Sequence, residues 1–461
     1  MKASYLTHLY SRIGFGLNRK GYQSLKGISK SKIVDAIFES SKAPIPLKID
    51  LSAYDSFVSM KSKNNAKNNQ ALRKLAQKNR QDIKQLNYAW LDRLRDTDQI
   101  LREKMTLFWA NVFVCKDNNA LHIQQYNNIL RTNALGDFGD FTKAIAKSAA
   151  MSKYLNNKQN RKDSPNENFA RELMELFTLG VGNYTETDIK EAARSFTGWA
   201  FKKDGSFFLK ERKHDNGIKT FFGESGNFNG EDIIDIILNQ KQCARFICAK
   251  MYTYFVNPKI DEERLELLTN LFYKDYNIEN LMRHIIASDW FYDEKNRGVK
   301  IKSPIELFIG IQNIVPVNFQ KKKQLLYLQK IMGQTLLYPP NVAGWKQDRY
   351  WIDSNTLMIR MKLAALLLNN AIINIDIKGE FEDSFEVYYA QERKKNQFLK
   401  VASNWDNFDK TYGTLSQDVL KSLLIVSKID KDTEQFLEGL STKDNKEYMI
   451  QLMSLPEYQL C

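Results

Sequence analysis

The chain is poor in the residues that staple or ligate. Its 461 residues include four cysteines and four histidines. Cys115, Cys243, Cys248 and Cys461 show neither CxxC spacing nor a histidine at zinc-ligand spacing. That excludes the usual disulfide scaffolds and zinc modules, and a reducing compartment fits. Long apolar runs are missing too. The run AALLLNNAII from Ala364 is too short, and too broken by asparagine, to cross a bilayer. The opening MKASYLTHLYSRIGFGL has no apolar core and no small-residue cleavage site. The expectation is therefore a cytoplasmic protein without a transmembrane segment. HExxH, GxSxG, a P-loop lysine and the Rossmann glycine set are absent. No local signature names a reaction, although a site built from scattered helices would leave none.

What is present reads as a folded globule, with 43% apolar and 12% aromatic residues. The net charge of +14 favours acidic partners, whether an acidic polymer, an anionic membrane surface or nucleic acid. Solvated lysine faces would account for the same charge. Helical periodicity dominates, so the fold class expected is mainly α, a multi-helix body with one small β-hairpin near 206–222. Three regions are expected, with one continuous domain as the alternative: an N-terminal helical layer 1–100, a helical core 101–375 and a C-terminal helical region 376–461. Residues 61–84 carry eight Lys or Arg against one acid, Asp82. Such a basic helix could track phosphates, but little aromatic interleaving accompanies it, so nucleic acid is the weaker expectation.

The rest of the chain is organised around Ser164–Trp199, which reads as two helices joined by a tight connector. Ser164, Pro165 and Glu167 predict a capping box for the first. Gly180 and Gly182 supply its stop, Thr185 and Asp188 predict the second cap, and Gly198 ends the second helix. Asn166, Asn168, Arg171, Glu172, Asp188 and Arg194 crowd this segment. Spacing alone gives i,i+4 pairs Glu167–Arg171 and Arg171–Glu175, a surface ladder that needs no site. Glu172 lies one position off that ladder. Arg194 is expected to fork to Glu172 or Asp188.

Beyond Trp199, Asn216-Gly217 is a strong hairpin signal. As its turn it would pair Asp215 with Ile218 and set His214 across from Lys219. Near the end, Pro339-Pro340, Trp345 and Trp351 concentrate aromatics in a loop ahead of a helix carrying Arg360, with Ser354 as its expected N-cap. Read as a cleft, Glu172, His214, Asp215, Arg194 and Asp188 would be the catalytic set. Asn166, Asn168, Arg171, Lys219, Trp345, Trp351 and Arg360 would bind substrate, the tryptophans forming one wall. Carboxylates with a histidine suit general acid–base work. Glu172, His214 and Asp215 could equally hold a divalent metal. Aromatic walls beside Asn, Asp and Arg suit sugar rings.

These segments resemble the bacterial DUF1800 family: NENFARELMELFTLGVGNYTETDIKEAARSFTGW, HDNGIKTFFG, KSPIE, YPPNVAGWKQDRYWIDSNTLMIRM, and HLYSRIGFGLN and LMSLPEYQL at the two ends. The resemblance spans nearly the whole chain. It implies a family whose biochemical function is not established, with members met commonly beside sulfatase-like proteins of the DUF1501 family and often exported, hence an envelope or secreted setting. Similar proteins tend to carry a histidine near FWANVFV, where this chain has Ala110, Asn111 and Val112. Whether the chain is an enzyme stays open. Three functions are weighed: an enzyme acting on a glycan-related polymer, a non-catalytic binding or assembly protein with a DUF1501 partner, and a nucleic-acid binder.

Overall fold

The computed structural model describes all residues except 53, 55–65, 370–398 and 441–443, with nothing stated of the side chains of 19, 20 and 66–72. The start of the basic segment 61–84 and the stretch 376–398 of the expected C-terminal region thus lie outside the described residues. The architecture is mainly α, as the periodicity implies. Three two-stranded antiparallel sheets accompany the helices among the described residues. No helix among these residues is long and apolar enough to cross a membrane.

The chain separates into two compact units. One comprises Met1–Asp35, Ser288–Thr335 and Lys346–Cys461, and the other Ala36–Ala287 and Leu336–Trp345. In the second unit the helix Ile100–Val112 is buried almost all round. Trp109 meets Phe141 edge-on at 5.3 Å, and Phe113 meets Phe177 at 5.6 Å, so aromatic edges and faces fill the centre. The same helix carries Glu103, which Arg131 from the helix Ala120–Asn133 meets at 2.5 Å with neither side chain exposed. Trp90 donates to Glu103 at 3.2 Å, while Asn127 and Asn128 accept from Arg131 at 2.9 Å each. That pair is fully answered by hydrogen bonds, the condition for carrying two charges into a dry core.

The first unit centres on the helix Pro304–Ile314. Its start is the capping box Ser303–Glu306 with proline in the first turn, as its sequence suggests. Backbone pairing joins Lys300 to Cys461 in both directions, and Val317–Phe319 pairs with Val401–Ser403. The helix Ser354–Leu368 is capped by Asp353 rather than Ser354. The Asp353 carboxylate accepts from the N–H groups of both Asn355 and Thr356, which a hydroxyl does less well.

In the second unit, Gly198 takes φ +77°, and a Cβ there would stand 2.8 Å from the Lys210 carbonyl and 3.0 Å from the His214 nitrogen. Gly198→Ala therefore combines a left-handed backbone penalty with backbone overlap. We expect a loss of about 2–4 kcal/mol in urea unfolding. A loss under about 0.5 kcal/mol, typical of neutral surface changes, would mean this corner is not tightly held.

Candidate functional site

The helix expected to start after Ser164 instead begins at Asn168. Ser164 sits in a small backbone bridge with Arg161, and the Asn166 N–H is held by the Asn160 side chain at 2.9 Å. These contacts hold the chain ahead of the helix, and Glu167 is its N-cap, with backbone already in the helical region. The Asn166 side chain then accepts from the Asn168 N–H at 3.1 Å, taking the role foreseen for Ser164. Asn168 itself is exposed. After Glu172 the helix widens into a π-helix over Leu173–Thr178. A wider turn breaks i,i+4 stacking, so the expected Arg171–Glu175 pair does not form. Arg171 keeps Glu167 at 3.1 Å and grips Glu186 with two bonds of 2.9 Å. Glu175 accepts the Tyr184 hydroxyl at 2.9 Å instead.

The second helix, Glu186–Ser195, starts with the Thr185–Asp188 capping box. Asp188 also accepts the Phe222 N–H at 3.1 Å, tying the helix to the following β-structure. Arg194 does not reach Glu172 or Asp188. It contacts Glu191 and Asp215 at 2.8 Å each and donates to the Ile218 carbonyl at 3.2 Å. Both of its carboxylate partners are mostly buried, and Asp215 is held below its usual range chiefly by the Arg194 hydrogen bond.

This clamp also corrects the hairpin. Phe207–Leu209 pairs with Trp199–Phe201, and Lys219–Phe221 with Glu224–Gly226, so two hairpins replace the expected one. Asn216-Gly217 lies between them. There the Asp215 carboxylate accepts the Gly217 N–H at 2.8 Å, forming a side-chain turn in place of the Asn-Gly hairpin turn. His214 is buried, with Nδ1 2.7 Å from the Thr197 carbonyl, and the Asp215 N–H donates to the Thr197 hydroxyl at 2.8 Å. Lys219 is buried too, and donates to the Asp215 carbonyl and, at 3.2 Å, to Asn227. Burial lowers its pKa, with the pull of Asp215 opposing.

Arg194, Asp215, His214, Lys219 and Asp188 are thus brought together, each already engaged. The tryptophans are not a wall: Trp345 and Trp351 are both buried. Trp351 and Arg360 belong to the other unit, where Arg360 is buried and donates to the Lys302 carbonyl at 2.6 Å. Trp345 is held at both backbone groups by Asn111, at 2.7 Å and 3.2 Å. Among the described residues no group of three or more His, Cys, Asp or Glu is placed to hold a metal, so Glu172, His214 and Asp215 do not form a ligand set.

Glu172 is the exception to this saturation. It is half-buried, and among the described residues no hydrogen bond or ion pair reaches its carboxyl. Burial raises its pKa, the nearby Glu175 charge adds to that, and Arg171 opposes only partly. Tyr154, half-buried as well, feels both Cys115 and Glu172. Sequence reasoning missed the group beyond Cys115. Asp117 accepts from Asn119 N–H at 3.1 Å, meets His122 Nδ1 at 3.0 Å and pairs with Lys153 at 2.5 Å. Burial pushes Asp117 up, but the His122 and Lys153 bonds outweigh it and leave the carboxyl below its usual range. The buried His122 Nε2 has no partner among the described residues. The local signal was an Asp two residues ahead of the Asn119 cap, with a His in the first turn behind it.

The family model described as "Protein of unknown function (DUF1800)" matches residues 8–460, so the chain belongs to that family. No curated protein and no solved structure matches it.

The Arg194 clamp makes a pH-dependent prediction. A depressed carboxyl pKa contributes stability above the ordinary value of 3.8, lost as pH falls through the lower folded value. Asp215→Asn should cost about 1–2 kcal/mol at neutral pH. The gap to wild type should close in urea unfolding below pH 3.8, as the wild-type carboxyl itself protonates. A gap that is unchanged in acid would show that Arg194 does not draw on the Asp215 charge.

Proposed function

We propose that this DUF1800 protein is an enzyme that performs acid–base chemistry on a hydroxyl-rich, glycan-like polymer, with Glu172 as the proton carrier. The observation carrying this reading is that Glu172, among the crowded ionic groups of Ser164–Trp199, is the carboxyl left without a hydrogen-bonded partner while burial raises its pKa. A carboxyl with a raised pKa keeps its proton to higher pH than an ordinary one and can donate it to a leaving oxygen, the task of a general acid. Glu175, half-buried nearby and bonded to Tyr184, supplies a second carboxylate, and acid and base roles follow when two environments differ. Half-buried Tyr154 and Tyr184 offer ring faces and hydroxyls suited to sugars. The π-helical turn that carries Glu175 supports the reading, since such turns recur at functional sites.

A second reading has its own observation. Val181 and Ile218 are 75% and 67% exposed, one on the connector before the helix Glu186–Ser195 and the other on the turn that Arg194 holds. Exposed apolar side chains suit a docking face, as the binding or assembly role beside a sulfatase-like DUF1501 partner requires.

The test is Glu172→Gln, assayed for release of reducing ends from a panel of neutral and acidic polysaccharides across pH. The wild type should lose activity as pH rises through the raised Glu172 pKa, and the variant should lose at least about 100-fold. A raised folded pKa contributes stability below the ordinary value of 4.5 that disappears as pH rises, so ionised Glu172 weakens the fold at neutral pH. The variant should therefore be at least as stable as wild type there. A variant that cleaves as fast as its parent, or that unfolds more readily at neutral pH, overturns the assignment.

A further inference from the structure

In the unit that carries Glu172, two short basic stretches run against each other, residues 158–163 and 210–213. Backbone bonds fix them side by side. The Lys162 N–H donates to the Lys213 carbonyl at 2.9 Å, the Gly198 N–H to the Asn160 carbonyl at 3.0 Å, and the Lys210 N–H to the Gly198 carbonyl at 2.8 Å. Together the stretches hold six cations, Lys158, Arg161, Lys162, Lys210, Arg212 and Lys213, against two acids, Asp163 and Glu211. Arg161, Lys162, Arg212 and Lys213 are all exposed, and among the described residues no hydrogen bond or ion pair reaches their side chains.

Surface cations elsewhere in this unit are answered. Lys143 meets Asp235 at 2.5 Å, Lys147 meets Glu231 at 2.7 Å, and Lys241 and Arg245 meet Glu266 and Glu262 at 2.6 Å each. Asp163 and Glu211, by contrast, adjoin the four cations in sequence and pair with none of them among the described residues. Backbones joined by such bonds lie about 5 Å apart, within the reach of a lysine or arginine side chain. Arg161 and Lys162 are also neighbours in the chain, as are Arg212 and Lys213. One extended anionic strand can therefore touch all four. Like charges held this close repel, and anions laid across them relieve that repulsion.

We infer that this surface binds an acidic polysaccharide, a linear sugar chain bearing carboxylates or sulfate esters, through Arg161, Lys162, Arg212 and Lys213. A repeating polyanion answers several cations at once, with planar guanidinium forks suited to carboxylate and sulfate alike. The neighbouring rings favour a sugar chain over nucleic acid. Phe201, Phe207 and Phe208 are half-buried, and Lys158, Lys147 and Lys210 stand over them at 4.7 Å, 5.6 Å and 5.6 Å. Ring faces taken by ammonium groups are not open to the base stacking on which single-strand binding depends. From Arg161 the chain bridges to Ser164 and then enters the helix Asn168–Glu172. That the polymer is a sugar chain rests on the acid–base reading of Glu172, and that it is anionic rests on the four cations.

The test is fluorescence anisotropy of the full chain with fluorescein-labelled polygalacturonate, dextran sulfate, neutral dextran and a single-stranded DNA oligonucleotide, over a series of salt concentrations. At least one acidic polysaccharide should bind, its affinity falling steeply as salt rises, and neutral dextran should not. The tighter of the two tells carboxylate from sulfate ester. The joint change Arg161→Gln, Lys162→Gln, Arg212→Gln and Lys213→Gln, all at exposed side chains that the fold does not use, should weaken binding at least about 10-fold. The same loss of charge through Lys26→Gln, Lys32→Gln, Lys428→Gln and Lys431→Gln, exposed in the other unit, should weaken it less than about 3-fold. Glu172→Gln should bind as the wild type does, so that a failure of cleavage and a failure of binding are read separately. Equal weakening by the two four-site variants, or no binding of either acidic polysaccharide, overturns the surface. Tighter binding of the oligonucleotide than of either polysaccharide overturns the identity of the polymer.

Discussion

A charge that leaves water must be answered where it comes to rest, and this constraint shapes the protein more than any single contact. Arg131 and Glu103 show how it is met: 2.5 Å apart and unexposed, with Trp90, Asn127 and Asn128 taking up the remaining bonds. Lys300 and Glu306 meet it in the other unit, where the Glu306 carboxylate also closes a capping box. Arg194 meets it at the clamp, where one guanidinium holds Glu191, Asp215 and the Ile218 carbonyl, and so fixes the turn that follows the helix Glu186–Ser195. At the two arginines the charge also sets geometry, because a planar fork accepts few arrangements.

Set against that background, the exception becomes informative. Glu172 is half-buried without an answering donor among the described residues. An unanswered group of this kind either stores strain or waits for a ligand. Glu172 sits where the helix widens and where Tyr154, Glu175 and Tyr184 gather, a surrounding with the components of proton transfer. The residues first grouped as a cleft divide accordingly. Arg194, Asp215, Asp188, His214 and Lys219 build the frame, and Glu172 is what the frame leaves available.

Local chemistry was legible in the sequence where a feature depends on residues a few positions apart. The cap Thr185–Asp188 follows from spacing alone. The left-handed turns at Gly180, Gly182 and Gly198 follow from residue type. The Ser164 cap failed because Asn160 holds the Asn166 backbone, an interaction that competes with helix initiation and has no periodic signal. The Arg171–Glu175 pair failed at a π-turn, whose widened geometry the apolar pattern does not encode. Trp345, Trp351 and Arg360, expected to bind substrate with the tryptophans as one wall, are all buried, since a loop's aromatic content does not say which face it turns inward. Tertiary contact likewise decided that Arg194 would choose Asp215 over Asp188. It also decided that Asp117 and His122 would pair across a helix start.

The account turns on one carboxyl, and its titration can be observed directly. Carbon-13 NMR of the Glu-labelled protein, with the Glu172 signal assigned by its disappearance in Glu172→Gln, would follow that side chain through pH. The account predicts a midpoint clearly above the ordinary glutamate value of 4.5, because burial and Glu175 oppose ionisation more than Arg171 favours it. A midpoint at or below that value would mean that Glu172 is answered like its neighbours, and that the frame around it holds no proton carrier.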